Sequence, residues 1–258
     1  MGQSLLVSVH DGVADVVFNR PERRNPIDYA TLTALLATLR EADANPAARC
    51  VLLRGAGSGF SSGGDLAEFQ GQADRSAFEY HETGAGWAEL MTLIPRMTVP
   101  VVVAAHGFAM AGACGLTALA DVALAAEGTK FGAAEVKIGL FPLMILPALS
   151  LAIGSRRARE LALTGRVISA EEALRIGLVH RVLPKDGFVD EASAVAASLA
   201  SLGRRTLRLG KAYLRDAEGL PYESAVQLGR SVRGAFMSNP DFEEGVSAFL
   251  EKRGPRFE

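Results

Sequence analysis

Apolar and polar residues alternate over positions 5–9 and again over 14–19, on either side of Asp11-Gly12. A period of two interrupted by such a turn pair predicts two strands joined as a hairpin. Beyond Asn19-Arg20-Pro21 the spacing changes. Leu32, Leu35, Leu36 and Leu39 recur at helical intervals behind Asp28, a residue type suited to a helix N-cap, and Asn45-Pro46 ends the run. Positions 50–54 and 100–105 are short apolar runs that read as buried strands, and 121–125 and 178–183 add two more. Helices are expected over 87–94, stopping before Pro95, over 112–119, and over 156–163 behind Ser155. Ser169 with Glu172 three residues later reads as a capping box for another. Residues 68–85 are polar and carry Gly71 and Gly84, which predicts an irregular or mobile insert with at most a short helix. Residues 138–153 are strongly apolar but hold Pro142 and Pro147, and read as a buried loop and helix. From about residue 190 to 252 the pattern is helical, with breaks at Gly203, at 219–221 and at Asn239-Pro240. Strand–loop–helix units followed by a helical tail predict an α/β core over 1–200 and a helical region over 201–258.

Bulk properties narrow the possibilities. The 258 residues are 49% hydrophobic, enough for a sizeable core. A net charge of -2 leaves no global basic field, which argues against nucleic acid as partner. Residues 1–18 lack the basic segment and long apolar run of a signal peptide, and Leu6 stands where a myristoylation motif needs Ser or Thr. No stretch offers the roughly 20 uninterrupted apolar residues of a membrane span. Cys50 and Cys114, the only cysteines, make neither a disulfide framework nor a metal site. The expectation is a reducing, cytoplasmic setting without membrane association, metal or redox cofactor.

Two segments share one design. LLRGAGSGFSSGGDL (52–66) and VVVAAHGFAMAGACGL (101–116) each join an apolar strand to a helix start through small residues. Glycine permits close backbone approach, and a helix start leaves N–H groups unpaired at its positive end. Two such ends facing one another would make an oxyanion hole, though tight packing at strand-to-helix turns explains either loop equally well.

These segments resemble those of the crotonase (enoyl-CoA hydratase/isomerase) superfamily. FSSGGDL is similar to F-x-x-G-[AG]-D-[LI], and HGFAMAGACGL to N-G-x-x-x-G-G-G-x-E-L. ADVALAAEGTKFGAAEVKIGLFP resembles C-D-[IL]-x-x-A…F-x-x-P-E-x-x-x-G-x-x-P, and TGRVISAEEALRIGLVHRVLP resembles T-G-x-x-[IF]-x-A-x-x-A-x-x-x-G-L-V-x-x-V. NRPERRNPID near the start and FLEKRGPRF at the end match the outer motifs, so the resemblance spans nearly the whole chain in order. It implies a spiral of ββα units with C-terminal helices that build trimers, often paired into hexamers. It also implies an acyl-CoA thioester whose oxygen accepts two backbone N–H bonds, from Gly64 and Gly112. Ser62, Gly63, Asp65 and Leu66 would line the same loop, with Asp65 acting mainly as helix cap. Coenzyme A is then part of the substrate, and no other cofactor is implied.

In the family's hydratases two glutamates handle water. Here one position is Glu135 and the other is Gly115. That departure is similar to Δ3,Δ2-enoyl-CoA isomerases, in which one carboxylate moves a proton between C2 and C4. A carboxylate among apolar residues suits such work, because burial raises its pKa. Replacements for the missing acid would have to come from Asp74, Glu79, His81, Glu82 or Glu89 in the insert, each of which also reads as a surface residue. Tyr80 and Trp87 are candidates for the acyl pocket, although core packing accounts for Trp87 as well. Arg23, Arg24 and Lys252 are the basic residues the resemblance assigns to coenzyme A, against the plainer reading of solubilising charges. Phe141 opens a bulky stretch, FPLMILP, where the family has P-G-A-G-G-T, which implies an altered acyl pocket. Two other readings remain: a non-catalytic acyl-CoA-binding homologue, favoured by Gly115, and a serine peptidase built on Ser61 or Ser62 with His106.

Overall fold

The computed structural model describes residues 3–70 and 75–257. Its strands are β1 (Leu5–His10), β2 (Val13–Phe18), β3 (Pro26–Ile27), β4 (Cys50–Gly55), β5 (Gly63–Gly64), β6 (Val101–Ala105), β7 (Phe108–Met110), β8 (Val122–Ala126), β9 (Lys130–Gly132), β10 (Val167–Ser169) and β11 (Arg181–Leu183). Its α-helices are α1 (Tyr29–Ala44), α2 (Leu66–Phe69), α3 (Ala77–Arg96), α4 (Gly112–Leu119), α5 (Leu146–Ile153), α6 (Ser155–Thr164), α7 (Ala170–Ile176), α8 (Phe188–Ala200), α9 (Arg204–Ala217), α10 (Tyr222–Met237) and α11 (Pro240–Leu250).

The main sheet has the order β1-β2-β4-β6-β8-β11; β1 is antiparallel to β2 and every other pair is parallel. Alternation along the strands sends side chains to two cores. Val51, Leu53, Val101, Val103 and Ala105 face a large core shared with α1, α3 and α4. Cys50, Leu52, Val102, Ala104 and Leu124 face a smaller one, closed by Phe188, Ala192, Ala196 and Ala200 of α8. Both faces are covered, which is why these strands read as continuous apolar runs rather than alternating ones. A second sheet, β10-β9-β7, and the pair β3-β5 stand at the carboxyl end of the main sheet and carry the loops of interest.

From residue 201 onward the chain is helical apart from its turns and tail. Lys211, nearly buried, pairs with Asp121 at the start of β8, and Arg49 donates to the Phe257 carbonyl at 3.1 Å. The tail is therefore anchored at the amino end of β4, away from the glycine loops.

Four expectations need correction. Much of the polar insert is ordered helix: α3 begins at Ala77 behind a reciprocal capping box between Ser76 and Glu79, and runs through Gly84, Gly86 and Pro95 to Arg96. Pro95 does not stop it, because the Met97 amide closes the last turn onto the Leu93 and Ile94 carbonyls (3.0 and 3.3 Å). The stretch before α5 is not a buried loop. Ile138, Leu140, Phe141, Leu143 and Met144 are 38–70% exposed, with Pro142 buried among them, and the helix that follows enters the core from Ile145. At Ser169 the box is one-sided: its hydroxyl accepts from the Glu172 amide, while the Glu172 carboxylate binds Arg166.

Candidate active site

Three chain segments lie side by side and end together. Ser61 bridges Ala109 in parallel, Met110 donates to the Ser61 carbonyl at 3.1 Å, and β7 pairs with β9 so that Ala109 faces Phe131. Gly64, Gly112 and Glu135 follow Ser61, Ala109 and Phe131 by three, three and four residues. Parallel register therefore delivers all three to one place.

The Asp65 amide donates to Ile27 of β3 at 3.3 Å. Successive amides of an extended strand point to opposite edges, so the Gly64 N–H points away from β3. Gly112 is the first residue of α4, with its N–H among those a helix leaves unpaired. A Cβ on Gly63 would lie 2.5 Å from the Met110 carbonyl oxygen, 2.8 Å from Ala111 Cβ and 3.1 Å from the Gly112 nitrogen. The two glycine loops are thus in backbone contact, and Gly63 needs its φ of +84° and its missing side chain to permit it. Ala111, before Gly112, holds φ 50° and ψ -123° without a glycine's freedom. Such strain clusters where a backbone group has to be aimed. Trp87 of α3 packs across Gly112, where any side chain would collide with its indole.

Asn25 supports the first loop and was visible only as a motif letter. It is 1% exposed; its amide donates to the Ala56 and Gly59 carbonyls (both 2.9 Å), and its carbonyl accepts from Ser61 Oγ at 2.6 Å. Ser61 Oγ in turn accepts from the Gly63 amide at 3.0 Å. Asp65 caps α2 through the Ala67 amide at 3.0 Å and holds Arg23 at 3.0 Å. Arg24 places its guanidinium 4.4 Å from the centre of the Phe108 ring, and its carbonyl accepts from the Ser62 amide at 3.0 Å. Leu66 is exposed on the short helix.

Glu135 opens a short 3-10 turn, Glu135–Ile138. It is half-buried, its Oε2 is shielded from solvent without a hydrogen-bond partner, and burial raises its pKa above the usual carboxylate range. Its charge reaches Cys114 on α4, whose thiol is pushed up to about 12 first by burial and then by Glu135. Gly115, one residue further on, has its outward direction closed: an added side chain would collide with Ile145 and would meet Met91 Sδ at 3.4 Å. Ile145 belongs to the bulky FPLMILP stretch that the sequence singles out, whereas Met91 did not stand out, because its role exists only through the packing of α3 onto α4.

Other candidates separate from this group. Glu79 is spent on its capping box, Glu89 pairs with Arg40, and His81 and Glu82 are exposed. Asp74 lies outside the described residues. Ser61 is tied to backbone and His106 Nε2 is 2.9 Å from the Gly57 carbonyl, so they make no Ser–His pair. No hydrogen bond or ion pair among the described residues joins Lys252 to the site, and the chain beyond it docks at Arg49. Phe141 belongs to the exposed apolar stretch three residues beyond the Glu135 turn. Among the described residues no group of three or more His, Cys, Asp or Glu could hold a metal ion, and no helix is long and apolar enough to cross a membrane.

Residues 8–258 match the family model for enoyl-CoA hydratase/isomerase. A Thermus thermophilus relative that carries an enoyl-CoA hydratase name is 36% identical over 253 residues, covering 98% of this chain and 100% of the relative. A crotonyl-CoA hydratase from Syntrophomonas wolfei is 32% identical, over 99% of this chain and 98% of its own. The crystal structure of an enoyl-CoA hydratase from Mycobacterium smegmatis superposes with a TM-score of 0.93 at 32% identity, over 99% of both chains. With the family's motifs in order, its fold, and relatives matched end to end, the chain belongs to the enoyl-CoA hydratase/isomerase family of the crotonase superfamily and is an enzyme of that type.

Proposed function

We propose that the protein moves a proton within an enoyl-CoA thioester, with Glu135 as the single acid/base and the Gly64 and Gly112 amides holding the thioester oxygen. The observation that carries this reading is the contrast between two positions. Glu135 is a desolvated carboxylate with an unpaired oxygen, whereas at Gly115 the space for a second acid is filled by Ile145 and Met91.

The chemistry follows from that contrast. The thioester carbonyl accepts from both amides, which stabilise the charge as it develops on oxygen; one such donor is typically worth about 100- to 1000-fold in rate. Glu135 as carboxylate takes a proton from C2 of a 3-enoyl thioester, leaving a dienolate. The carboxylic acid so formed returns the proton at C4, giving the 2-enoyl thioester. One group serves both steps because its raised pKa makes each protonation state accessible. Hydration needs a second polar group to orient water, and the packed apolar wall at Gly115 offers none. Arg23 and Arg24 border the first loop and supply positive charge for coenzyme A phosphates. Exposed Ile138, Leu140, Phe141, Leu143 and Met144 beside Glu135 form an apolar surface suited to the acyl chain. The exposed apolar residues of α9 to α11, Leu214, Tyr222, Phe249 and Leu250 among them, suit self-association as a trimer or a pair of trimers.

A parallel assay tests the proposal. It predicts isomerisation of a 3-enoyl-CoA with little or no hydration of a 2-enoyl-CoA. Robust hydration would contradict it. Retained thioester binding with neither activity would favour the non-catalytic reading that the loss at Gly115 supports.

A further inference from the structure

Far from the glycine loops, a cavity of about 610 Å³ opens between the carboxyl ends of α1 and α3 and the first turns of α9. Four arginines line it: Arg40 from α1, and Arg204, Arg205 and Arg208 from α9. The only acid in its wall is Asp43. That carboxylate is already engaged, accepting from the Thr98 amide (2.6 Å), the Thr98 hydroxyl (2.8 Å) and the Val99 amide (3.0 Å). In a chain of net charge -2, so many guanidinium groups around one opening need a reason.

Structural duty accounts for some of them. Arg204 donates to the Asp43 and Asn45 carbonyls (3.1 and 3.3 Å), closing the end of α1. Arg40 pairs with Glu89 on the neighbouring helix. The other two are left with charge to spare. Arg205 reaches Asp241 only at 3.8 Å, and that buried carboxylate is held by the Thr206 amide at 2.9 Å. Arg208 has no hydrogen bond or ion pair among the described residues and is exposed. The helix end itself is not the attraction, since Asp241 already occupies it. The excess lies in the side chains. Residues at i, i+1 and i+4 place Arg204 and Arg208 on one face of α9 with Arg205 beside them, and Leu93 and Ala44 give the cavity an apolar wall.

We propose that this cavity is a second ligand site, separate from the thioester site, that takes a small molecule bearing two or more phosphate groups. Guanidinium forks match phosphate oxygens in pairs, and two forks on one side favour a ligand with more than one charged group. The volume admits a diphosphate with a modest organic part, and the apolar wall gives that part a surface. Arg205 and Arg208 make the principal contacts, with Arg204 fixed as the rear wall by its backbone bonds.

The test is calorimetric titration of the full-length protein with inorganic pyrophosphate and with ADP at low ionic strength. The probes are compared on the wild type, on Arg208→Gln, on the double variant R205Q/R208Q, and on Arg23→Ala at the other site. The expected result is saturable binding of one pyrophosphate per chain, weakened about 10-fold or more in the double variant, retained in Arg23→Ala, and weakened by added salt. Isomerase turnover of the double variant without added phosphates should equal that of the wild type, which also reports that it folds. Binding lost in Arg23→Ala but kept in R205Q/R208Q would assign the phosphates to the coenzyme A site and overturn the proposal. So would the absence of saturable pyrophosphate and ADP binding to the wild type.

Discussion

At the scale of single residues the site is a set of exclusions. Gly63 illustrates this: its φ of +84° and the 2.5 Å approach of the Met110 oxygen leave no place for a methyl group. Gly63→Ala should therefore destabilise the protein by about 1–3 kcal/mol, as strained or overpacked sites do, and cut turnover by separating the two amides. Chemical denaturation with parallel kinetics reads both; a fully active, equally stable variant would refute the contact. Glu135 carries a different signature. Its folded pKa is raised by burial, so between the unfolded carboxylate value and the raised folded value the native state binds the extra proton. Stability from this group is present at low pH and is lost as pH rises through that window. Glu135→Gln should thus raise the melting temperature at pH 7 and lose that advantage near pH 4. The kcat/KM profile for isomerisation should rise with pH through the raised pKa, since the base must be ionised, and the variant should lack that limb.

At the scale of elements, legibility followed the kind of interaction that defines each element. The hairpin β1-β2, helix α1 behind Asp28, and the helix breaks at Gly203, 219–221 and Asn239 were readable because local periodicity and capping chemistry specify them. The strands β3, β5, β7, β9 and β10 were not, because two or three residues carry no period and exist only through pairing with distant chain. The same limit hid Met91, and hid where Ile145 of the bulky FPLMILP stretch would point, since the significance of both is their approach to Gly115. Helix α3 is the instructive miss. Gly71, Gly84 and a polar composition argued against it, yet Ser76 and Glu79 formed a legible capping box. Its apolar face shows only from Leu90 onward, where Leu90, Met91 and Ile94 enter the core. The first turns thus depend on their cap. Ser76→Ala should cost about 0.5–2 kcal/mol of helix stability and speed amide hydrogen exchange over residues 77–83 while leaving 90–96 protected. Uniform exchange along the helix would contradict that division.

At the scale of the whole molecule, the parallel sheet fixes where chemistry happens. Its strands run toward β5, β7 and β9, and register among these brings Gly64, Gly112 and Glu135 together from three distant parts of the chain. These three residues lie at the carboxyl end of the strands, and the C-terminal region is secured at the other end, through Arg49 before β4 and through Lys211 on Asp121 before β8. Those helices leave Tyr222 84%, Phe249 81% and Leu250 74% exposed, more large apolar surface than a solitary helical region keeps without a partner. Sedimentation velocity at micromolar concentration should show a trimer or a multiple of it; a stable monomer would contradict that assembly. The raised pKa of Glu135 follows the apolar setting that its sequence neighbours predict, while the closure at Gly115 became visible only through packing.

The central claim is that one half-buried carboxylate performs both proton transfers on a thioester held by two amides. The most direct measurement is the steady-state isomerisation rate of Glu135→Gln beside its affinity for a saturated acyl-CoA. The account predicts a fall in kcat of about 100-fold or more, in line with the loss of a general acid/base, with acyl-CoA affinity unchanged within a few-fold. A variant that isomerises at nearly the wild-type rate would show that another group moves the proton.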